Sequence, residues 1–202
     1  KDFNITKSEN GFIQYQDGLG ELVLPEPSIL GDHQLYNIST SIAASRKIFN
    51  IKDEYIRNGI KNISLKARLE EIKSGKLKDI AGNNKLVIDG GHNISASLSI
   101  ANWVKNQNEE ANLIVGMMKD KEHVEFIKAF ENIVNSITLI DIPNQDGAIS
   151  KEDFKKKLDN SKLNLKLSNG IEESIKSLSK NENTIILCVG SLYLAGEILS
   201  LN

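Results

Sequence analysis

Asp89 and His92 stand three residues apart in the stretch KLVIDGGHNIS (85–95). A carboxylate accepts hydrogen bonds from hydroxyls, and an imidazole can hold or release a proton near neutral pH. The two together have the chemistry of a binding or group-transfer site. The elements that would position them are legible on either side. Lys85, Leu86, Val87 and Ile88 form a short run bounded by Asn83-Asn84 and by Gly90-Gly91, which predicts a buried strand. Ser95, Leu98, Ile100, Ala101 and Val104 then recur at helical spacing, and Asn93 or Ser95 can cap the first turn. Asp89 is therefore expected at the carboxyl end of a strand and His92 at the mouth of a helix. In open α/β sheets that edge binds ligands, because helix N-termini there present free N–H groups to anions.

The composition narrows the partners. The chain has 202 residues, 40% of them hydrophobic, and a net charge of −2. That is enough for one good-sized core, or for a core and part of a second unit. With Lys, Glu and Asp interspersed there is no basic stripe, so nucleic acid and anionic membrane are excluded as expected partners. One cysteine, Cys188, lies in the apolar run TIILCV and is expected to be a small buried hydrophobe. A single Cys supports neither a disulfide nor a zinc framework, which points to a reducing cytoplasm. No apolar run approaches the roughly 20 residues of a membrane span, and no signal peptide is expected. The first residue is Lys1 rather than Met, so the chain is expected to be a piece of a longer protein.

Residues 11–16 and 21–24 read as two strands joined by the turn signal Asp17-Gly18, with Pro25 and Pro27 ending the extended structure. From Gly31 the pattern is helical, with Leu35, Ile38, Ile42, Ala43 and Ile48 on one face and Asp32 as N-cap. A second helix over 52–58 should close at Gly59 as a left-handed C-cap. A hairpin and two helices are too small for a complete domain and are expected to be the tail of one. Polar turns follow around a strand run at 64–72, and the domain boundary is expected close to Asn62, dividing the chain into 1–61 and 62–202.

Beyond the boundary, strands expected at 86–88, 112–115, 136–140, 163–167 and 184–189 alternate with helices expected at 95–106, 122–130, 150–158, 171–178 and 191–199. This alternation predicts a Rossmann-like, mostly parallel sheet with helices on both faces and right-handed crossovers. The reading concerns topology alone. Neither DGGHN nor VGSLYLAGE has G-x-G-x-x-G spacing, and G-x-x-x-x-G-K-[ST] does not occur, so no phosphate cradle is encoded in these residues.

Five stretches, GDHQLYNISTSIAA (31–44), ARLEEI (67–72), LVIDGGHN (86–93), GMMKDK (116–121) and VGSLYLAGEI (189–198), resemble in the same order the C-terminal half of folylpolyglutamate synthases, including bifunctional dihydrofolate synthases. These are members of the muramyl-peptide-type amide ligases. The resemblance covers nearly the whole chain. It implies that 1–61 is the end of a P-loop ATPase domain and 62–202 a Rossmann-like C-terminal domain. Two departures stand in D-G-A-H-N-P, where this chain has Gly91 for Ala and Ile94 for Pro. Ala67 stands where many members have Gly.

The activity implied is ATP-driven amide formation: a carboxylate of dihydropteroate or folate becomes an acyl phosphate, and the amine of L-glutamate attacks it. Positioning and charge neutralisation carry such chemistry. The missing part would supply the phosphate cradle and most of the magnesium ligands, and the chain alone, expected to be monomeric, should be inactive. The resemblance makes Asn37, Arg68 and Asp89 nucleotide contacts, places His92 near the acyl phosphate and incoming glutamate, and leaves Lys119 and Ser191 for the glutamate carboxylate. Each has a plainer alternative. Asn37 would be an exposed helix polar residue, Arg68 a salt-bridge partner of Glu70 or Glu71, Asp89 a helix cap, His92 a helix-entry residue, Lys119 a solvated loop charge and Ser191 an N-cap. His33 and His123 have no metal-ligand spacing with an evident third ligand. Trp103 and Phe126 are expected to pack rather than to stack on folate. A muramyl-peptide ligase domain and a non-catalytic α/β binding module are the alternative readings.

Overall fold

The computed structural model describes residues 3–7, 10–29, 31–158 and 163–202, with the backbone alone at 32 and 33. The chain divides into two compact units, Lys1–Lys66 and Ala67–Asn202.

In the first unit, β1 (Phe3–Lys7), β2 (Phe12–Asp17) and β3 (Gly20–Pro25) form an antiparallel sheet in that order, followed by α1 (Asp32–Phe49) and α2 (Asp53–Lys61). Ile13 pairs with Leu24 and Tyr15 with Leu22 across β2 and β3. These four alternate residues point inward and meet Leu35, Ile38 and Ile42 of α1 and Ile56 and Ile60 of α2. The expected hairpin is present, and β1 adds a strand that the polar sequence FNITK did not signal. Ile48 is 68% exposed rather than on the buried face. It lies six residues after Ile42, about 240° around the helix. The N-cap of α1 is Gly31, and the expected Asp32 cap and the His33 side chain lie outside the described residues. Gly59 does not end α2, which continues to Lys61 because Ile60 is still buried against the sheet.

The second unit contains β4 (Glu70–Ile72), α3 (Lys76–Ala81), β5 (Lys85–Ile88), α4 (Ile94–Lys105), β6 (Ala111–Val115), α5 (His123–Lys128), β7 (Ser136–Leu139), α6 (Lys151–Lys157), β8 (Leu165–Leu167), α7 (Ile171–Leu178), β9 (Ile185–Val189) and α8 (Leu192–Leu201). Its sheet runs β4-β5-β9-β6-β7-β8, with β4 antiparallel to β5 and every other pair parallel. The Rossmann-like expectation therefore holds, with helices on both faces. Alternate strand residues sort the core. Val87, Leu113, Val115, Leu187 and Val189 face α4, α5 and α6, while Leu86, Ile88, Ile114, Ile186 and Cys188 face α3, α7 and α8. Trp103 and Phe126 belong to the first of these clusters, as packing residues. Cys188 is buried, and burial pushes its thiol pKa up to about 12.

Three local expectations change. The strand expected at 64–72 shrinks to Glu70–Ile72, because Ala67 and Leu69 take positive φ and break the extended run. The polar stretch before β5 holds α3, stabilised by a partner distant in sequence. The Asn202 side chain accepts from Leu77 N at 3.0 Å and donates to Ser74 O at 2.7 Å. Leu98 of α4 is 59% exposed, and the inward face is Ser97, Ile100, Ala101 and Val104.

The consequence for the site lies in strand order. The last βα unit inserts β9 between β5 and β6, so the carboxyl ends of these three strands are neighbours where the connections diverge.

Candidate functional site

At that edge the loops after β5, β9 and β6 are tied together by their backbones. Asp89 N donates to Cys188 O at 2.9 Å, Gly190 N to Gly91 O at 3.0 Å, and Gly116 N to Val189 O at 3.4 Å. The approach is close enough to need glycine. Gly190 has φ +108, and a Cβ there would lie 2.7 Å from Gly116 O and 2.8 Å from Met117 Cγ. A Cβ on Gly91 would lie 2.7 Å from Ala96 Cβ and 2.8 Å from Asp89 Oδ1. The Gly at this position therefore suits the tight entry into α4.

Asp89 is 3% exposed, and both carboxylate oxygens are engaged. Oδ1 accepts from Gly91 N at 2.6 Å and Oδ2 from Leu69 N at 2.9 Å. Gly90 N donates to Ala67 O at 2.9 Å, so the strand end grips the 67–69 segment at two points. That segment is strained. Ala67 (φ 54) and Leu69 (φ 48) are both left-handed, a conformation costing an L-residue roughly 1–2 kcal/mol each. Arg68 lies between them, half-buried. Glu70 turns its carboxylate onto Ala67 N at 2.8 Å instead of pairing with Arg68. The helix cap expected of Asp89 is made instead by Asn93, whose Oδ1 accepts from Ala96 N at 2.9 Å.

His92 is half-buried at the mouth of α4, its Nδ1 3.0 Å from Gly90 O. A carbonyl can only accept, so the neutral ring carries its proton on Nδ1 and leaves Nε2 as an acceptor. Asp120, in the loop after β6, bonds to Lys121 at 2.8 Å. That bond holds the Asp120 carboxyl below its usual range, with a smaller contribution from His92. Asp120 and Lys121 were not singled out from the sequence. Their signal was position alone, in the same K-D-K run as Lys119. Lys119 itself is turned toward the segment after β7, with Nζ on Asp146 O and N on Gly147 O, both at 2.8 Å. Ser191 is 2% exposed and caps α8, accepting from Tyr193 N at 3.1 Å. Its hydroxyl proton remains able to donate.

His123 is buried beside the same loop, edge-on to Phe154 with ring centroids 5.0 Å apart. Nε2 donates to Met118 O at 3.0 Å and Nδ1 accepts from Lys157 Nζ at 3.2 Å. Burial first, and then the Lys157 charge, push its pKa below the ordinary value, opposed by the bond to Met118 O and then by Asp120. The unfolded chain then binds a proton below about pH 6.5 that the folded chain resists. His123 should therefore leave stability intact above that pH and lower it, by at most about 1.4 kcal/mol per pH unit, as the pH falls toward its folded-state pKa. Unfolding midpoints from pH 7.5 to 5 should fall less steeply in His123→Gln than in the wild type. Parallel slopes would contradict the assignment.

Asn37 belongs to the first unit and is described there. It is exposed on α1, donates to Gln34 Oε1 at 3.0 Å, and lines a groove of about 310 Å³ with Ile38, Ser41, Tyr55 and Ile56. Of the residues expected at the site, the sheet edge brings together Arg68, Asp89, His92 and Ser191, while Lys119 faces the 146–147 segment. Among the described residues no group of three or more His, Cys, Asp or Glu is arranged to hold a metal ion. No helix is long and apolar enough to cross a membrane.

Known proteins share this fold. The chain is 23% identical over 182 residues to a probable dihydrofolate synthetase of Schizosaccharomyces pombe, covering 83% of this chain and 42% of that protein. The structure superposes on the folylpolyglutamate synthase of Mycobacterium tuberculosis complexed with ADP and AMPPCP, with a TM-score of 0.81 and 19% identity, over 100% of this chain and 48% of that one. It also matches a bifunctional folylpolyglutamate synthase/dihydrofolate synthase with Mn, AMPPNP and L-glutamate bound, with a TM-score of 0.76 and 18% identity, over 98% and 45% of the two chains. At these identities the likeness shows the fold, and the chain spans about half the length of the proteins it matches. The family described as dihydrofolate synthetase, C-terminal domain, matches residues 73–201, from just after β4 through the loops of Asp89, Lys119 and Ser191 to the end of α8. This chain belongs to that family.

Proposed function

We propose that the chain is the C-terminal part of an ATP-dependent ligase that joins L-glutamate to dihydropteroate or folate through an acyl phosphate. The observation that carries the reading is the loop edge built by Arg68, Asp89, His92 and Ser191 in a chain of the dihydrofolate synthetase C-terminal family. ATP supplies the phosphoryl group that activates the acceptor carboxylate. Arg68 offers a guanidinium fork to phosphate oxygens, and the Asp89 carboxylate borders the same nucleotide. Asn37 presents an amide to a base edge from the groove of the first unit. His92 offers Nε2 to the reacting group or the incoming amine. The α8 N-terminus with Ser191, and Lys119 once released from Asp146 O, would meet the glutamate carboxylate.

Residues 1–61 are the end of the central ATPase domain and 62–202 the ligase domain proper. The division of the structure into Lys1–Lys66 and Ala67–Asn202 supports that assignment. Magnesium would be held chiefly by ATP and by the upstream domain. The full-length enzyme would act in the cytoplasm. ADP release by the full-length protein should require L-glutamate and either dihydropteroate or a reduced folate together. Release that instead requires a muramyl-peptide acceptor, or that ignores glutamate, would overturn the reading.

A further inference from the structure

The structure assigns His123 as a positioning residue for Lys119, by anchoring the peptide group from which Lys119 starts to helix α6. The assignment rests on the reading in which Lys119 meets the glutamate carboxylate. Three observations carry it. The His123 ring joins two elements, with Nε2 3.0 Å from Met118 O, in the residue before Lys119, and Nδ1 3.2 Å from Lys157 Nζ, at the end of α6. The ring is held edge-on to Phe154 of the same helix, with centroids 5.0 Å apart, and both residues are buried. On its other side the loop is laced to the segment after β7, through Lys119 N on Gly147 O at 2.8 Å and Ile149 N on Met117 O at 3.0 Å.

Met118 O and Lys119 N belong to one planar peptide group. His123 grips that group at its oxygen and Gly147 O grips it at its N–H, so the plane cannot turn and the Lys119 Cα attached to it is fixed. Without the ring, Met118 O is left with the longer bond from Lys121 N at 3.3 Å. Both ring partners demand one tautomer. A carbonyl only accepts and an ammonium only donates, so the proton sits on Nε2 and the lone pair on Nδ1. Burial and then the Lys157 charge keep the ring neutral, against the Met118 O bond and Asp120. A long side chain delivers its charge to one place only when its origin is fixed.

The test is a set of variants of the full-length protein, read by kinetics and by amide hydrogen exchange. His123→Gln can carry its NH2 to the position of Nε2, whereas His123→Asn reaches only that of Nδ1. His123→Asn is expected to raise the KM for L-glutamate roughly fivefold or more, with less than about a twofold change in kcat. His123→Gln should recover most of that loss. In His123→Asn the Lys119 amide should exchange roughly tenfold faster than in the wild type. In a Lys119→Ala background His123→Asn should cost less than about twofold more, because the side chain it positions is gone. In 15N-histidine spectra, assigned by the signal lost in His123→Asn, the neutral ring should carry its proton on Nε2.

Equal losses in His123→Asn and His123→Gln, or an unchanged Lys119 amide, would overturn the assignment. So would a ring protonated on Nδ1 alone, or losses that multiply in the Lys119→Ala background. If Lys119→Ala leaves the KM for L-glutamate unchanged while its amide exchange accelerates in His123→Asn, the anchor stands and the glutamate reading of Lys119 fails. Should His123→Asn fold poorly, His123→Glu takes its place, since its ionised carboxylate has the shape of Gln, can pair with Lys157 and cannot donate to Met118 O.

Discussion

If the proposed function holds, Arg68→Ala in the full-length protein is expected to weaken ATP use by roughly ten- to over a hundredfold while leaving the fold intact. A hydrogen bond to a charged group contributes about 1.5–3 kcal/mol, and each 1.4 kcal/mol is tenfold. The fold should not depend on this side chain. The turn around Arg68 is held by backbone groups and by Asp89 and Glu70, none of which needs the guanidinium. A substitution that removes only the side chain should therefore lower kcat/KM for ATP with an unchanged thermal midpoint. Arg68→Lys should recover little, since an ammonium cannot bridge two phosphate oxygens as a planar fork does. Wild-type kinetics in Arg68→Ala would remove the residue from the site.

Gly190→Ala should cause the largest loss of stability. Its φ of +108 is costly for any side chain, and the new Cβ would meet a carbonyl oxygen at 2.7 Å and Met117 Cγ at 2.8 Å. Backbone strain of about 1–3 kcal/mol and overpacking of about 1–3 kcal/mol act together. The expected cost of roughly 2–6 kcal/mol is a large part of the 5–15 kcal/mol typical of a folded domain. At about 2–4 °C per kcal/mol the midpoint should fall by roughly 5–20 °C. The same change would loosen Gly190 N on Gly91 O, and with it the register between the Asp89 and Gly116 loops. Gly196→Ala is the control, because a Cβ there meets no atom within 4 Å and the residue lies inside α8. That variant should be neutral or up to about 1 kcal/mol more stable. Equal midpoints for the two variants would contradict the packing argument.

The parts of the fold that were legible in sequence are those where one local period dominates. The central parallel strands are buried on both faces, so 85–88, 111–115 and 185–189 read as short apolar runs, and the helices between them follow the 3.6-residue repeat. The Asp89–His92 junction was legible for the same reason, because the period changes there. What was not legible depends on partners distant in sequence. Helix α3 starts on the side chain of Asn202, and β1 is a polar strand that exists because β2 pairs with it. The strand order, with β9 between β5 and β6, leaves no local trace, yet it sets the Gly190 loop between the loops of Asp89 and Gly116. The left-handed turn around Arg68 was hidden because Ala67 and Leu69 do not advertise positive φ as glycine does. Lys119 could be identified as a cation near a strand end, but its lean onto Asp146 O is a contact across 27 residues.

The most direct test of the ligase reading is product analysis. The full-length protein would be incubated with ATP and L-glutamate plus either dihydropteroate or a reduced folate, and the pterin products resolved by mass spectrometry. The account predicts an acceptor enlarged by one amide-linked glutamyl residue, one ADP released for each product, and no product from the 202-residue chain alone, whose sequence holds no phosphate cradle. ADP release without a glutamylated pterin, or glutamylation by the isolated chain, would contradict it.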